Sequence, residues 1–194
     1  GIIQIMQDKG LSFSLKGLIE KSVGLFGEKS ESEIRGIAGK VYTFMQNRMS
    51  HLLAEEGFSK DVIAAIVEVS VDHVPHVRSR IQALEKLRAE PDFEPLAVAF
   101  KRVVNIIRKA DYMVMAEVDE SLFEHECEFT LLRAYLALRQ TVADDLADGR
   151  FEQALLSIAS LKTPVDDFFD GVMVMADDTR VRDNRLSLLR HISD

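Results

Sequence analysis

Tryptophan is absent from the 194 residues, cysteine occurs once and proline four times. The single thiol, Cys127, excludes an internal disulfide and every multi-cysteine zinc site, so nothing calls for an oxidising compartment and the cytoplasm is the default location. No apolar run reaches the roughly 20 residues that span a bilayer. The opening Gly1-Ile2-Ile3-Gln4 also lacks the basic stretch of a signal peptide, and no membrane partner is expected. Basic residues are in deficit, 24 Lys and Arg against 32 Asp and Glu, for a net charge of −8. That balance argues against nonspecific coating of nucleic acid, DNA included. A glycine-rich phosphate loop is missing, which removes the usual nucleotide cradle. Paired alternating runs around a tight turn are missing too, which removes β-hairpins.

A hydrophobic fraction of 47% and a charged fraction of 29% describe a chain that folds. Its length suits one ordinary domain or two small helical ones, and we expect an all-α bundle of two packed helical lobes. There is no initiator methionine, and the last amphipathic stretch stops at Ser193-Asp194 without a capping signal. The sequence reads as an excised fragment.

Apolar residues recur at helical spacing almost throughout. Leu15, Leu18, Ile19 and Phe26 predict a first helix ended near Gly27, followed by a polar linker over 28–32 with Ser32 as the next cap. Ile37, Val41, Phe44, Met45, Met49 and Leu52 then predict a long helix over 33–56, stopped by Gly57. Ser59 is placed to cap a helix over 61–71, and Pro75 to open the next, with Val77, Ile81, Leu84 and Leu87 on its apolar face. Pro91 and Pro95 suggest a boundary, dividing the chain into 1–92 and 93–194. Beyond it, helices are expected over 96–110, 121–146, 151–161, 165–175 and 179–192. Residues 112–115 and 172–175 have strand propensity without strand partners, so helix or loop is favoured for both.

Charge is unevenly spread. Between Arg78 and Lys109 the bases Arg78, Arg80, Lys86, Arg88, Lys101, Arg102, Arg108 and Lys109 outnumber the acids Glu85, Glu90, Asp92 and Glu94. Asp111, Glu117, Asp119, Glu120, Glu124, Glu126 and Glu128 follow without an intervening base. On the helix from Leu96, the residues Leu96, Phe100, Val103 and Ile107 share one face. Lys101, Asn105 and Arg108 lie opposite, with Arg102 and Lys109 beside them. Such a ridge suits RNA, since bases neutralise phosphates and asparagine reaches a base edge or ribose hydroxyl. On spacing alone a solvated charged face is the more common explanation.

Other candidates are weaker. His73 and His76, with Asp72, have a metal-compatible spacing but lack further ligands, so no metal site is expected. His125, Glu126 and Cys127 are helix neighbours that point in different directions, so no catalytic residue is assigned. Arg185 and Asn184 fall on the same side of the last helix as Val181, Leu188 and Ile192, whereas Arg182 and Arg190 point outward. An arginine in an apolar stripe needs a partner. Asp166, Asp167, Asp170, Asp177 and Asp178 are close in sequence, and a structural ion pair is expected at Arg185. Arg48, between Met45, Met49 and Leu52, is expected to pair likewise, with Asp61 or Glu68.

Three stretches together carry a resemblance: Lys101-Arg102-Val103-Val104-Asn105-Ile106-Ile107-Arg108-Lys109, Pro164-Val165-Asp166-Asp167-Phe168-Phe169-Asp170-Gly171-Val172-Met173-Val174-Met175, and Asn184-Arg185-Leu186-Ser187-Leu188-Leu189. Phe44, Arg48, Met49, Gly57, Asp61, Val62 and Ile63 add matching positions upstream. The pattern resembles the C-terminal region of the β subunit of the bacterial two-subunit glycyl-tRNA synthetase, which ends in a helical anticodon-binding domain of the DALR class. The tetrapeptide that names the class is missing, the nearest text being Leu136-Ala137-Leu138-Arg139.

The resemblance implies that residues 1–92 end the β-subunit body and that 93–194 form the DALR-type domain, truncated at its C-terminus. It implies contact with glycine tRNA through Lys101, Arg102, Asn105, Arg108, Lys109 and Arg182. It also implies a catalytically silent fragment of a glycine–tRNA ligase, an α2β2 assembly whose α subunit holds the aminoacylation site. ATP and Mg would serve the whole enzyme, with no cofactor in this fragment. A helical module that mainly joins the α and β subunits is the second reading.

Overall fold

Asp72 ties the start of one helix to the entry of another. Its carboxylate accepts the backbone N–H of Lys16 at 2.7 Å and the Ser14 hydroxyl at 3.1 Å, in the first of two helical units seen in the computed structural model. The structure describes residues 1–27 and 30–193, so Glu28 and Lys29 of the expected linker, and Asp194, lie outside it. Among the described residues there is no strand. The chain divides into residues 1–86 and 87–194. Neither Pro91 nor Pro95 marks that division: Pro91 lies in a turn and Pro95 in the first turn of a helix, where the missing N–H leaves no hydrogen bond unmade.

The first unit comprises α1 (Ile2–Asp8), α2 (Leu15–Gly24), α3 (Glu31–Glu55), α4 (Lys60–Val69) and most of α5 (Val74–Arg88). α1 is a finding of the structure; Ile3 and Met6, one turn apart, are its buried residues. Ser30, and not Ser32, caps α3. Its hydroxyl accepts from the Glu33 N–H while the Glu33 carboxylate accepts from the Ser30 N–H at 2.9 Å, a reciprocal pair that satisfies two orphan donors. Gly57 closes α3 with a φ of +94°, a left-handed conformation that glycine adopts without a Cβ clash. Ser59 occupies the cap position of α4, but its hydroxyl donates to Glu85 at 2.8 Å instead of capping. Met49, Leu53, Val71, Val74, Val77 and Ile81 are fully buried at the centre of this unit.

The second unit comprises α6 (Phe93–Lys109), a 3-10 turn (Glu120–Leu122), α7 (Glu126–Ala147), α8 (Phe151–Ala159), α9 (Lys162–Gly171) and α10 (Thr179–Ser193). Val103, Leu131, Val165, Phe168, Leu188 and Leu189 are fully buried and bring α6, α7, α9 and α10 onto one core. The helix expected from 121 starts later, at Glu126. The Glu128 carboxylate accepts the N–H groups of Glu124 and His125, each at 2.9 Å, and so fixes the start there. α9 stops at Gly171, ahead of the expected 175, and both 112–115 and 172–175 are irregular segments.

Candidate nucleic-acid interface

The amphipathic pattern of α6 decides which of its side chains reach solvent. Leu96, Ala99, Val103 and Ile107 are buried at three-and-four spacing, and Phe100 and Ile106 pack beside them. The opposite face therefore carries Lys101, Arg102, Arg108 and Lys109, all exposed, with Asn105 half-buried between them. Arg108 donates to Asn105 Oδ1 at 3.0 Å. That bond orients the amide so that its NH2 group is turned toward other acceptors. Arg102 lies over the ring of Phe169 on α9, with its Cζ 4.1 Å from the ring centroid, a cation–π packing that holds the guanidinium in place. The exposed Val98 and Val104 give the ridge apolar ground among its charges.

Beyond the ridge the helix ends at Lys109, and Asp111 takes a φ of +50°, which aspartate tolerates better than most residues. The segment that follows is fastened to α10. Tyr112 shares a hydrogen bond with Ser187 at 2.7 Å, His191 one with the Ala116 carbonyl at 2.9 Å, and Asn184 bonds both backbone groups of Asp119. α10 thus holds the C-terminal exit of the ridge.

Arg185 is the electrostatic centre of this fastening. It is 3% exposed and its guanidinium meets Glu128 at 2.8 and 3.3 Å, Glu124 at 2.9 Å and the Met173 carbonyl at 3.1 Å. The partners are not the aspartates at 166, 167, 170, 177 and 178, which are near in sequence only; Glu128 stands 57 residues away. Burial pushes the Glu128 carboxyl up, but the Arg185 hydrogen bond and the two backbone donors outweigh it, and the group is held below its ordinary value.

Arg48 is corrected. It is exposed on α3 and forms no salt bridge among the described residues, because the buried stripe passes through Met49, Leu52 and Leu53 and leaves Arg48 to one side. Arg182, in the first turn of α10, is half-buried and contacts Asp183 at 3.3 Å. No hydrogen bond or ion pair among the described residues joins it to the α6 ridge. Arg190, expected to point outward, is half-buried as well.

The remaining candidates have structural roles. Asp72 is engaged by Ser14 and Lys16, His73 and His76 rings stand 5.7 Å apart, and burial followed by His73 and Arg80 keeps His76 below its ordinary pKa. Among the described residues no group of three or more His, Cys, Asp or Glu is arranged to hold a metal ion. Burial and the neighbouring Glu128 push the Cys127 thiol up, which suppresses the thiolate that nucleophilic chemistry requires. Among the described residues no helix is long and apolar enough to cross a membrane.

The profile of the DALR anticodon binding domain family matches residues 96–194, which begins on the ridge helix and runs through α10. The chain belongs to that family, although its α7 reads Leu136-Ala137-Leu138-Arg139 where the class takes its name. Over its whole length it is similar to proteins named glycine–tRNA ligase β subunit. It is 44% identical to that of Desulfatibacillum aliphaticivorans over 196 residues, covering 100% of this chain and 28% of the relative. It is 44% identical to that of Geotalea uraniireducens over 192 residues, covering 99% and 28%. It is 35% identical to that of Edwardsiella ictaluri over 194 residues, covering 100% and 28%. The chain therefore spans 28% of the length of these relatives.

Proposed function

We propose that this chain binds glycine tRNA at the anticodon through the α6 ridge, within a glycine–tRNA ligase β subunit. The observation that supports it most is the coincidence of an exposed row of Lys101, Arg102, Asn105, Arg108 and Lys109 with the first helix of the anticodon-binding family match. The chemistry is positional. Lys101 and Lys109 meet phosphates, and Asn105 presents an amide to an unstacked base. The tRNA so held directs its acceptor end to an aminoacylation site on the α subunit, where ATP and Mg would act. The chain itself is catalytically silent in this reading and works in the cytoplasm. Replacing Lys101 and Arg102 with glutamate is expected to weaken tRNA binding and flatten its salt dependence; unchanged affinity would remove the ridge from the proposal.

A second reading, assembly of α and β subunits with little RNA contact, draws support from the exposed apolar residues Met113, Val114 and Met173, the two methionines each 75% exposed. Co-purification with the α subunit that persists without tRNA, and is lost on replacing these residues with serine, would favour it.

A further inference from the structure

We propose that Arg102, backed by Phe169, is a stacking platform for an unpaired RNA base and not a phosphate contact. The proposal rests on the ridge reading above and assigns one residue of that ridge a different job from its neighbours.

Three observations carry it. First, the Arg102 guanidinium sits 4.1 Å from the centre of the Phe169 ring, a van der Waals stacking distance, while the residue remains exposed. The guanidinium therefore has a packed side, toward the ring, and a solvent side. Phe169 is itself 7% exposed and set against Phe168 edge-to-face, centroids 5.7 Å apart, so the backing ring cannot readily swing away. Second, Arg102 takes part in no salt bridge or hydrogen bond among the described residues, so neither a carboxylate nor a carbonyl tilts the plane. Third, α9 places Asp166 and Asp170 on either side of Phe169 in sequence, with Asp166 drawing Lys162 to 2.9 Å. Acids carried on the same helix as the backing ring disfavour a phosphate at Arg102. They leave a neutral base unaffected.

The consequence is a division of labour along α6. Lys101, Arg108 and Lys109 supply backbone attraction, Asn105 an edge contact, and Arg102 a planar seat for a base that has left its stack. Duplex RNA has no such base to offer, so the platform selects a loop.

The test uses the 194-residue chain with the anticodon stem–loop of glycine tRNA carrying 2-aminopurine singly at each loop position, and a blunt RNA duplex for contrast. Arg102→Lys keeps the charge and removes the plane. Phe169→Leu keeps an apolar side chain and removes the backing ring. The expected result is a change in 2-aminopurine fluorescence at one loop position on binding, lost in both variants. Stem–loop affinity should fall on the order of tenfold in Arg102→Lys, while its salt slope and the weak duplex binding stay as in the parent. Retained fluorescence change and affinity in Arg102→Lys, with Lys101→Ala still weakening binding, would overturn the platform and leave the ridge standing. Absence of RNA binding by the parent chain would overturn both. Far-ultraviolet circular dichroism of Phe169→Leu separates a folding failure from a binding failure, and Arg102→Lys, at an exposed position, decides the matter if Phe169→Leu unfolds.

Discussion

Asn184 grips the backbone of Asp119 by both of its polar groups: its Oδ1 accepts the Asp119 N–H at 2.8 Å and its Nδ2 donates to the Asp119 carbonyl at 2.9 Å. One buried side chain thereby stands in for a strand partner along an irregular segment. With Tyr112–Ser187 and His191–Ala116, it lets 112–119 lie against α10 without secondary structure of its own.

Asn184→Leu should cost about 1–3 kcal/mol, because two backbone groups lose their partners and an apolar side chain satisfies neither. Amide exchange at Asp119 should rise well before global unfolding. Protection unchanged at that amide in the variant would show that the clamp is not what orders the segment.

Arg185→Leu should be more severe, about 3–5 kcal/mol, since it strands the fully buried Glu128 carboxylate. Adding Glu128→Gln should recover part of the loss, because an amide oxygen still accepts from Glu124 or His125 N–H without a charge. Urea unfolding of the two variants measures this. Recovery absent in the double variant would mean that lost packing, and not a stranded charge, dominates.

The same pair sets a pH dependence. The folded Glu128 carboxyl is held below its ordinary value, so its contribution to stability is complete above the unfolded carboxyl pKa of about 4.3 and drains away as pH falls through the lower folded value. Midpoints of thermal unfolding for the parent and for Glu128→Gln should therefore converge between about pH 4.3 and more acid conditions. A gap that widened on acidification would contradict the sign.

Gly171 closes α9 against Cys127. A Cβ at 171 would come within 2.7 Å of the Cys127 sulfur but 3.6 Å from its Cβ. Gly171→Ala should destabilise by about 1–3 kcal/mol through overpacking, and Cys127→Ala in the same chain should relieve it. Additive effects in the double variant would place the strain elsewhere.

Helical periodicity made the all-α class and most helices legible, because each buried stripe is written locally along its own helix. Interactions across helices were not. Arg185 was readable as a charge on an apolar face, yet its partner Glu128 lies on α7, far along the chain, while five nearer aspartates offered false choices. Arg48 failed for a related reason: one residue off the stripe is about 100° of rotation, enough to move a side chain from core to solvent. Phe169 looked like ordinary core, and only the crossing of α6 and α9 sets it beneath Arg102. The start of α7 depends on a carboxylate two residues inside it, so the run of acids from Glu117 to Glu128 hid a cap.

Anticodon recognition by the α6 ridge is tested by the affinity of this chain for glycine tRNA and for the same tRNA with an altered anticodon, each at two salt concentrations. Tighter binding of the native tRNA, weakening as salt rises, is the expected result. Equal affinity for both tRNAs, or no binding to either, would contradict it.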